Sequence, residues 1–259
     1  MKKPRLKEKK NRTFFVYVLI VIVGLLFFGC ETQSKPDLSS SNESNEVPGK
    51  ADKDPKVKLE DVSDCANPYY PLDTETEREY KISGTAPTTY VLKQKMRGGN
   101  GFTETRDFGS GLEVVSSWSC TDEGLRNADY NNAISGSNVN AKMKTIESSG
   151  VTLPKNWEVG KKWRADYKIR AEILGKTVAG TVTVDNEIIT LDDNVAVQGG
   201  DYVAARIDSV INMKLSLKAM KIPGSKVVMS NWYAPKVGLI KQEVKSGLAK
   251  SSVEYAGEK

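Results

Sequence analysis

Two stretches of strict period-two alternation limit what this chain can fold into. From Trp163 every second residue is apolar (Trp163, Ala165, Tyr167, Ile169, Ala171, Ile173), and the residues between them are Arg164, Asp166, Lys168, Arg170 and Glu172. A second series runs Val203, Ala205, Ile207, Ser209, Ile211, Met213, Leu215 and Leu217, with Arg206, Asp208, Asn212 and Lys214 in between. Side chains of a strand alternate between its two faces, so each series gives one buried face and one wet face, as in an antiparallel sheet. At about 3.3 Å per residue the second strand would approach about 50 Å if straight. Strands that long twist and curl. The expected fold is therefore all-β, a strongly curved antiparallel sheet or partial barrel with meander connectivity.

Shorter strands are expected at Thr76–Ser83, Thr88–Arg97, Phe102–Asp107, Leu112–Cys120, Lys176–Asp185, Glu187–Leu191, Lys226–Tyr233, Leu239–Ser246 and Ala249–Tyr255. Leu112, Val114, Trp118 and Cys120 share a phase, which turns Cys120 inward. Asp122–Asn132 fits either a turn of helix or a hairpin strand. Gly98-Gly99-Asn100-Gly101 lacks the lysine and helix of a phosphate loop and reads as a hairpin turn.

The N-terminus is of a different kind. Seven basic residues (Lys2, Lys3, Arg5, Lys7, Lys9, Lys10, Arg12) against Glu8 precede an uncharged apolar run from Thr13 to Phe28, then Gly29 and Cys30. A basic region, an apolar core and a small residue at the cut form a secretory signal, expected as a helix over residues 1–29. The basic end resists translocation, so the chain downstream of the apolar run is delivered outside the cytoplasm. Leu25-Leu26-Phe27-Phe28-Gly29-Cys30 resembles the lipobox of bacterial lipoproteins, although Phe27 stands where an aliphatic residue is usual. The resemblance implies a diacylglycerol on the Cys30 thiol and cleavage before it. The other reading is an uncleaved membrane anchor, for which the 16-residue run is slightly short of the roughly 18 apolar residues of a spanning helix. Either way the partner at this end is a membrane, cell or outer.

The chain's formal charge of +5 invites a nucleic-acid reading, but residues 1–29 hold seven bases and one acid, or +6, so the remainder carries −1. No nucleic-acid partner is expected. Residues 30–64 hold nine acids and five bases, many Ser and Asn, and almost no large apolar side chains. Such a segment cannot bury enough surface to offset its ordering entropy and should be a disordered tether. Residues 65–259 then form the exported domain, either as one unit or as two related half-sheets, 65–150 and 151–259.

Three cysteines occur, and assigning Cys30 to lipid leaves Cys65 and Cys120, a candidate disulfide in an oxidising compartment. The alternative is two reduced cysteines, one buried as a small apolar residue. The chain has no histidine, which removes any Ser-His-Asp triad, any Cys-His pair and any histidine-bound metal. No cofactor, metal or catalytic residue is indicated, and the domain is expected not to be an enzyme. A faint repeat sets Tyr70-Pro71-Leu72 through Tyr80-Lys81-Ile82 on Trp157-Glu158-Val159 through Tyr167-Lys168-Ile169 without gaps, with chance an equal alternative.

Three segments carry a family resemblance: Tyr69-Tyr70-Pro71-Leu72, Trp157-Glu158-Val159-Gly160-Lys161-Lys162-Trp163, and Asn231-Trp232-Tyr233-Ala234-Pro235-Lys236-Val237-Gly238-Leu239-Ile240-Lys241. Together they resemble the TapB-like family of exported bacterial proteins over about residues 65–255. Asp73 and Thr76 replace the Gly and Trp of the family's first motif. The resemblance implies a curved antiparallel sheet comparable to lipid-handling half-barrels, and no defined activity. The last segment also reads locally as a hairpin, ended by Pro235 and turned at Gly238.

The residues are compatible with two non-enzymatic roles. In the first, an apolar concave face binds a lipid or an extended hydrophobic ligand, or supports envelope maintenance. Its lining would come from Trp118, Trp157, Trp163, Tyr167, Ile207, Ile211, Met213 and Trp232, although such residues usually form the core itself. In the second, the domain is a scaffold or assembly partner that pairs a sheet edge with another envelope protein.

Overall fold

The computed structural model describes residues 65–84, 87–98, 100–130, 142–173, 176–217, 220–246 and 249–259. The expected signal helix, Cys30 and the tether lie outside these residues, as does the end of the Asp122–Asn132 stretch. Among the described residues there is no α-helix.

Thirteen strands form one antiparallel sheet. They are β1 (Arg78–Gly84), β2 (Thr88–Arg97), β3 (Gly101–Asp107), β4 (Glu113–Thr121), β5 (Gly124–Asn127), β6 (Lys142–Gly150), β7 (Leu153–Pro154), β8 (Lys162–Ile173), β9 (Lys176–Val197), β10 (Gly200–Leu217), β11 (Met220–Ala234), β12 (Gly238–Ser246) and β13 (Ala249–Glu258). The spatial order is β6-β8-β9-β10-β11-β12-β13-β1-β2-β3-β4-β5-β7. Two meanders, β1–β5 and β8–β13, are thus joined where the last strand pairs with the first, Tyr80 opposite Tyr255 and Ile82 opposite Val253.

The sheet is open but sharply curled. In the strand order β3 and β10 stand six places apart, which in a flat sheet is roughly 29 Å at about 4.8 Å per strand. Yet Phe102 of β3 and Ile207 of β10 belong to one buried cluster, together with Trp118, Cys120, Leu125 and Ile188. Only a sheet wrapped around its own inner face can bring them together. A second cluster at one end gathers Tyr80, Tyr90, Ile240 and Tyr255. A third holds Tyr167, Val182, Ile211 and Met229.

The two ends of the sheet meet at a chain corner. Gly150 closes β6, and three residues later Leu153 opens β7 at the opposite end of the strand order. Arg126 donates from Nε to the Gly150 carbonyl at 2.7 Å, and the Asn127 amide donates to the Thr152 hydroxyl at 2.8 Å. These bonds stitch the edges without a continuous ladder between them, so the barrel is partial.

Most expected strands appear within two or three residues of their predicted ends, and the differences have local causes. Asp122–Asn132 contributes the short strand β5, not a helix. Lys176–Asp185 and Glu187–Leu191 are one strand, because Asn186 at the supposed break faces inward and accepts a hydrogen bond from the Ser209 hydroxyl at 2.7 Å. Leu112 is 48% exposed; it sits in a turn where Gly109, Ser110 and Gly111 all have positive φ. Val203, expected inside, is 54% exposed, whereas Ala204 and Ala205 are both buried. The pairing of β10 with β9 shifts register between Ala204 and Arg206, and a bulge of this kind resets the alternation. Strands β6 and β7 have little sequence signal, since Lys-Met-Lys-Thr-Ile-Glu-Ser-Ser-Gly alternates poorly and β7 is only two residues long.

Gly150 has φ +75°, and a Cβ there would overlap the Arg164 carbonyl oxygen. Gly150→Ala is expected to lower stability by about 2 kcal/mol or more. The readout is a lower urea midpoint at unchanged slope; an unchanged midpoint would mean that the corner does not hold the sheet's ends together.

Candidate functional site

The segment leading into β1 runs through the mouth of the curled sheet. Cys65 is joined to Cys120 of β4, with Cα atoms 4.8 Å apart and both residues buried. Asn67 donates from its side chain to the Pro154 carbonyl at 3.0 Å, and the Lys236 amide donates to the Pro68 carbonyl at 3.1 Å. Tyr69 packs on Trp157 with ring centroids 4.4 Å apart. Tyr70 enters the interior, where it stacks on Trp118 at 5.3 Å and meets the edge of Tyr233 at 6.3 Å. These contacts tie the lead-in to β4, to β7, to the loop before β8 and to the β11–β12 turn.

At its inner end the lead-in meets a buried charge pair. The Tyr70 hydroxyl donates to one oxygen of Glu104, and Arg106 donates from Nη2 to the other at 2.9 Å. Glu104 is fully buried and Arg106 nearly so. Burial raises the Tyr70 pKa well above its ordinary value, and the Glu104 charge adds to it. Burial works against the Arg106 charge, but the opposing Glu104 carboxylate outweighs it and holds that pKa above the usual arginine range. Glu104 and Arg106 share the phase of Phe102 on β3, so the alternation puts all three on one face. Two charges in phase with a core aromatic are the sequence signal for this pair.

A cavity of about 70 Å³ lies at the centre of the wrapped sheet. Its polar lining comes from six strands: Arg106, Asn127, Asn186, Ser209, Asn231 and Gln242. Gln242 donates to the Asn231 side-chain oxygen at 2.6 Å. Of the expected ligand-facing residues, Trp118, Tyr167 and Ile207 line this cavity. Trp157 and Trp163 are half-buried against the cluster around Phe102, and Trp163 donates to the Thr152 carbonyl at 3.3 Å. Ile211 is buried in the cluster around Val182, and Met213 packs against that cluster. Trp232 lies on the other side of β11 from Asn231 and Tyr233. It donates to Asp193 at 2.9 Å, with Arg206 and Lys241 each 5.4 Å from its ring. The polar interior escapes sequence reasoning because each such residue, taken alone in an apolar series, reads as a tolerated exception.

Among the described residues no group of three or more His, Cys, Asp or Glu could hold a metal ion, and no helix is long and apolar enough to cross a membrane. No family model matches the chain, and no curated protein matches it in sequence. Its fold is that of two solved structures. One, from Bacteroides fragilis, is described as an exported protein with a YmcC-like fold; it superposes with a TM-score of 0.52 at 12% identity, over 75% of this chain and 100% of that one. The other, from Parabacteroides distasonis, is described as a lipoprotein, with a TM-score of 0.53 at 14% identity, over 75% of this chain and 99% of that one. The hypothetical lipoprotein YmcC of Escherichia coli matches with a TM-score of 0.39 at 6% identity, too distant to support an argument.

Two measurements probe this arrangement. Replacing Cys65 and Cys120 by serine, or reducing them, is expected to cost on the order of 4 kcal/mol for a loop of this length, read from urea unfolding; equal stability with and without reductant would show that the other contacts suffice. Alkaline titration tests the interior. Burial is the leading cause of the raised pKa values of Tyr70, Tyr80, Tyr130, Tyr167 and Tyr233, whose ordinary value is 10.0. The folded state then keeps these protons when the unfolded chain releases them, so this stability is fully present below about pH 10 and is lost as pH rises above it. Phenolate absorbance from these residues should appear only together with loss of the folded signal. Ionisation of all ten tyrosines near their ordinary value in an intact sheet would contradict the packing.

Proposed function

We propose that the chain is a lipoprotein anchored through Cys30 and held outside the cytoplasmic membrane, and that its domain works non-enzymatically as a scaffold for another envelope protein. The signal pattern of residues 1–30 supports export and anchoring. So do the descriptions of the two structures that share the fold, one as an exported protein and the other as a lipoprotein. A disulfide between Cys65 and Cys120 suits an oxidising compartment.

The observation that carries the choice between scaffold and lipid carrier is the filled interior. Sites for lipids and drug-sized ligands are typically about 300 Å³ or larger and mostly apolar, whereas the central cavity is about 70 Å³ and the larger hollow of about 420 Å³ beside Ser83 and Lys250 is lined mainly by polar and charged residues. Of the residues expected to line a lipid site, Trp157, Trp163, Ile211, Met213 and Trp232 do not line the central cavity and are taken up in packing and hydrogen bonds. Sheet edge, by contrast, is on offer. β8 pairs with β9 only as far as Lys162 opposite Glu187, so from Ile189 to Val197 β9 has β10 on one side and, among the described residues, no paired strand on the other. Unpaired donors and acceptors along such an edge can take a strand from a partner. Asp192, exposed on this edge, favours a partner strand that carries Lys or Arg.

The experiment combines three readouts on detergent-extracted full-length protein. Metabolic labelling with a fatty-acid analogue should mark the wild type and not Cys30→Ser, which should also leave the membrane fraction. Native mass spectrometry should show the protein with its own acyl chains and no separate lipid. A photocrosslinker at the exposed Asn194 should capture one defined envelope protein that a crosslinker at Lys168 does not. A stoichiometric separate lipid would restore the carrier reading, and failure to capture a partner at Asn194 in repeated extractions would end the scaffold one.

A further inference from the structure

The two ends of the sheet differ in charge. The lead-in and the β11–β12 turn lie at one end, where the Lys236 amide donates to the Pro68 carbonyl. In an antiparallel sheet the opposite ends of β8 to β13 therefore lie together, away from the lead-in. Over that far end, residues 168–173, 176–181, 210–217, 220–228, 244–246 and 249–252, the sequence has eight bases and one acid. Residues 65–259 as a whole carry only +3, since residues 30–259 carry −1 and residues 30–64 carry −4. The excess of bases is local.

Its arrangement is not one that stability selects. Elsewhere on the sheet opposite charges are paired, as Arg164 with Asp185, Lys162 with Glu187 and Lys241 with Glu243. At the far end Lys144 stands directly across from Arg170, and Lys245 from Lys250. Like charges directly opposite each other are destabilising. Lys144, Arg170, Lys214, Lys226, Lys245 and Lys250 are all exposed, and among the described residues none has an acidic partner. Lys245 and Lys250 also border the hollow of about 420 Å³, together with Ser83, Ser251 and Ser252. Glu243 borders it too, held by Lys241 at 3.1 Å. Lysine and serine side chains on one hollow supply the donors that phosphate oxygens take.

We propose that this far end is a docking surface for an anionic lipid bilayer, its bases engaging the phosphate headgroups and the hollow taking one of them. The bases are spread between β6 and β13, at the two ends of a run of seven neighbouring strands. That spread suits a broad charged surface rather than a single small anion. Each base near an anionic leaflet adds roughly fivefold to affinity. The choice of a lipid partner rests on the anchored reading, which puts a membrane beside the domain. The 34 residues between Cys30 and Cys65 can reach at most roughly 110 Å, and β11 is roughly 50 Å long, so the far end is within reach of the anchoring membrane. The β9 edge plays no part in this contact.

The test uses full-length protein reconstituted into phosphatidylcholine vesicles and mixed with separate, dye-labelled vesicles of equal parts phosphatidylcholine and phosphatidylglycerol. The expected result is capture of the dye at low salt, lost at about 0.5 M salt, where screening shortens the reach of the charges. Changing Lys214, Lys226, Lys245 and Lys250 together to glutamine should weaken capture at least tenfold. Making the same change at Lys93, Lys95, Lys155 and Lys162, which are exposed elsewhere, should leave capture within twofold of the wild type. Absent capture, equal capture of pure phosphatidylcholine vesicles, or equal loss in both variants would overturn the proposal. So would tighter binding of a DNA oligonucleotide or an acidic peptide than of the anionic vesicles. The wild-type comparison of the two vesicle types decides the matter even if a variant does not fold. The anchored reading fails separately, by absent acyl labelling at Cys30.

Discussion

Everything in this fold depends on the pairing of its last strand with its first. Without the β1–β13 ladder, the chain would be two meanders, each with an inner face it could not cover and with two long edges. With it, thirteen strands become one sheet, and a sheet of that width cannot stay flat. Right-handed twist accumulates from strand to strand, and the inner face buries itself by wrapping until β3 and β4 touch β9 and β10. The start of β1 and the end of β13 are therefore neighbours at the seam, Arg78 opposite Glu258.

Wrapping creates two problems, which are solved by different residues. The first is at the edges, where a closed ladder would require the two end strands to run alongside each other. Instead the corner at Gly150–Leu153 carries the chain from one end of the sheet to the other, and Arg126, Asn127 and Thr152 satisfy the backbone groups there. The second is at the mouth, which the lead-in residues Cys65–Asp73 occupy. Their covalent bond to β4, the Tyr69–Trp157 contact and the burial of Tyr70 against Glu104 make that segment part of the core. Trp157 and Tyr70 both meet Tyr233 edge-on, at 5.8 and 6.3 Å. The two aromatics matched by the faint repeat thus converge on one ring from the start of each meander.

The interior is therefore more closely packed than the alternation alone suggests. Its aromatics stack on one another, as Trp118 does on Phe102 and Tyr80 on Tyr90, and its polar residues gather around a small central space. Buried polar groups of this kind are held because the fold brings their partners together, several of them from different strands: Asn186 meets Ser209, Asn231 meets Gln242, and Glu104 meets Arg106 and Tyr70. Surface charges, by comparison, form cross-strand pairs such as Arg164 with Asp185 and Lys168 with Glu147. Exposed pairs of this kind contribute little individually.

The sequence by itself determined the local states. The period-two series required strands, and Pro235 and Gly238 required an end and a turn. The inward phase of Cys120 made its bond to Cys65 possible. These are readable because they rest on interactions between residues close along the chain, or on the simple sorting of apolar from polar side chains. Tertiary structure decided the rest. It decided that β13 pairs with β1 and that Asn186 is an interior residue and not a turn. It decided that register shifts expose Val203 and bury Ala204, and that Trp232 takes the opposite side of its strand from the cavity. It also decided that the inner face closes on itself around a small central cavity. Each of these depends on which strands become neighbours across long stretches of chain, and periodicity along one strand carries no information about the strand beside it.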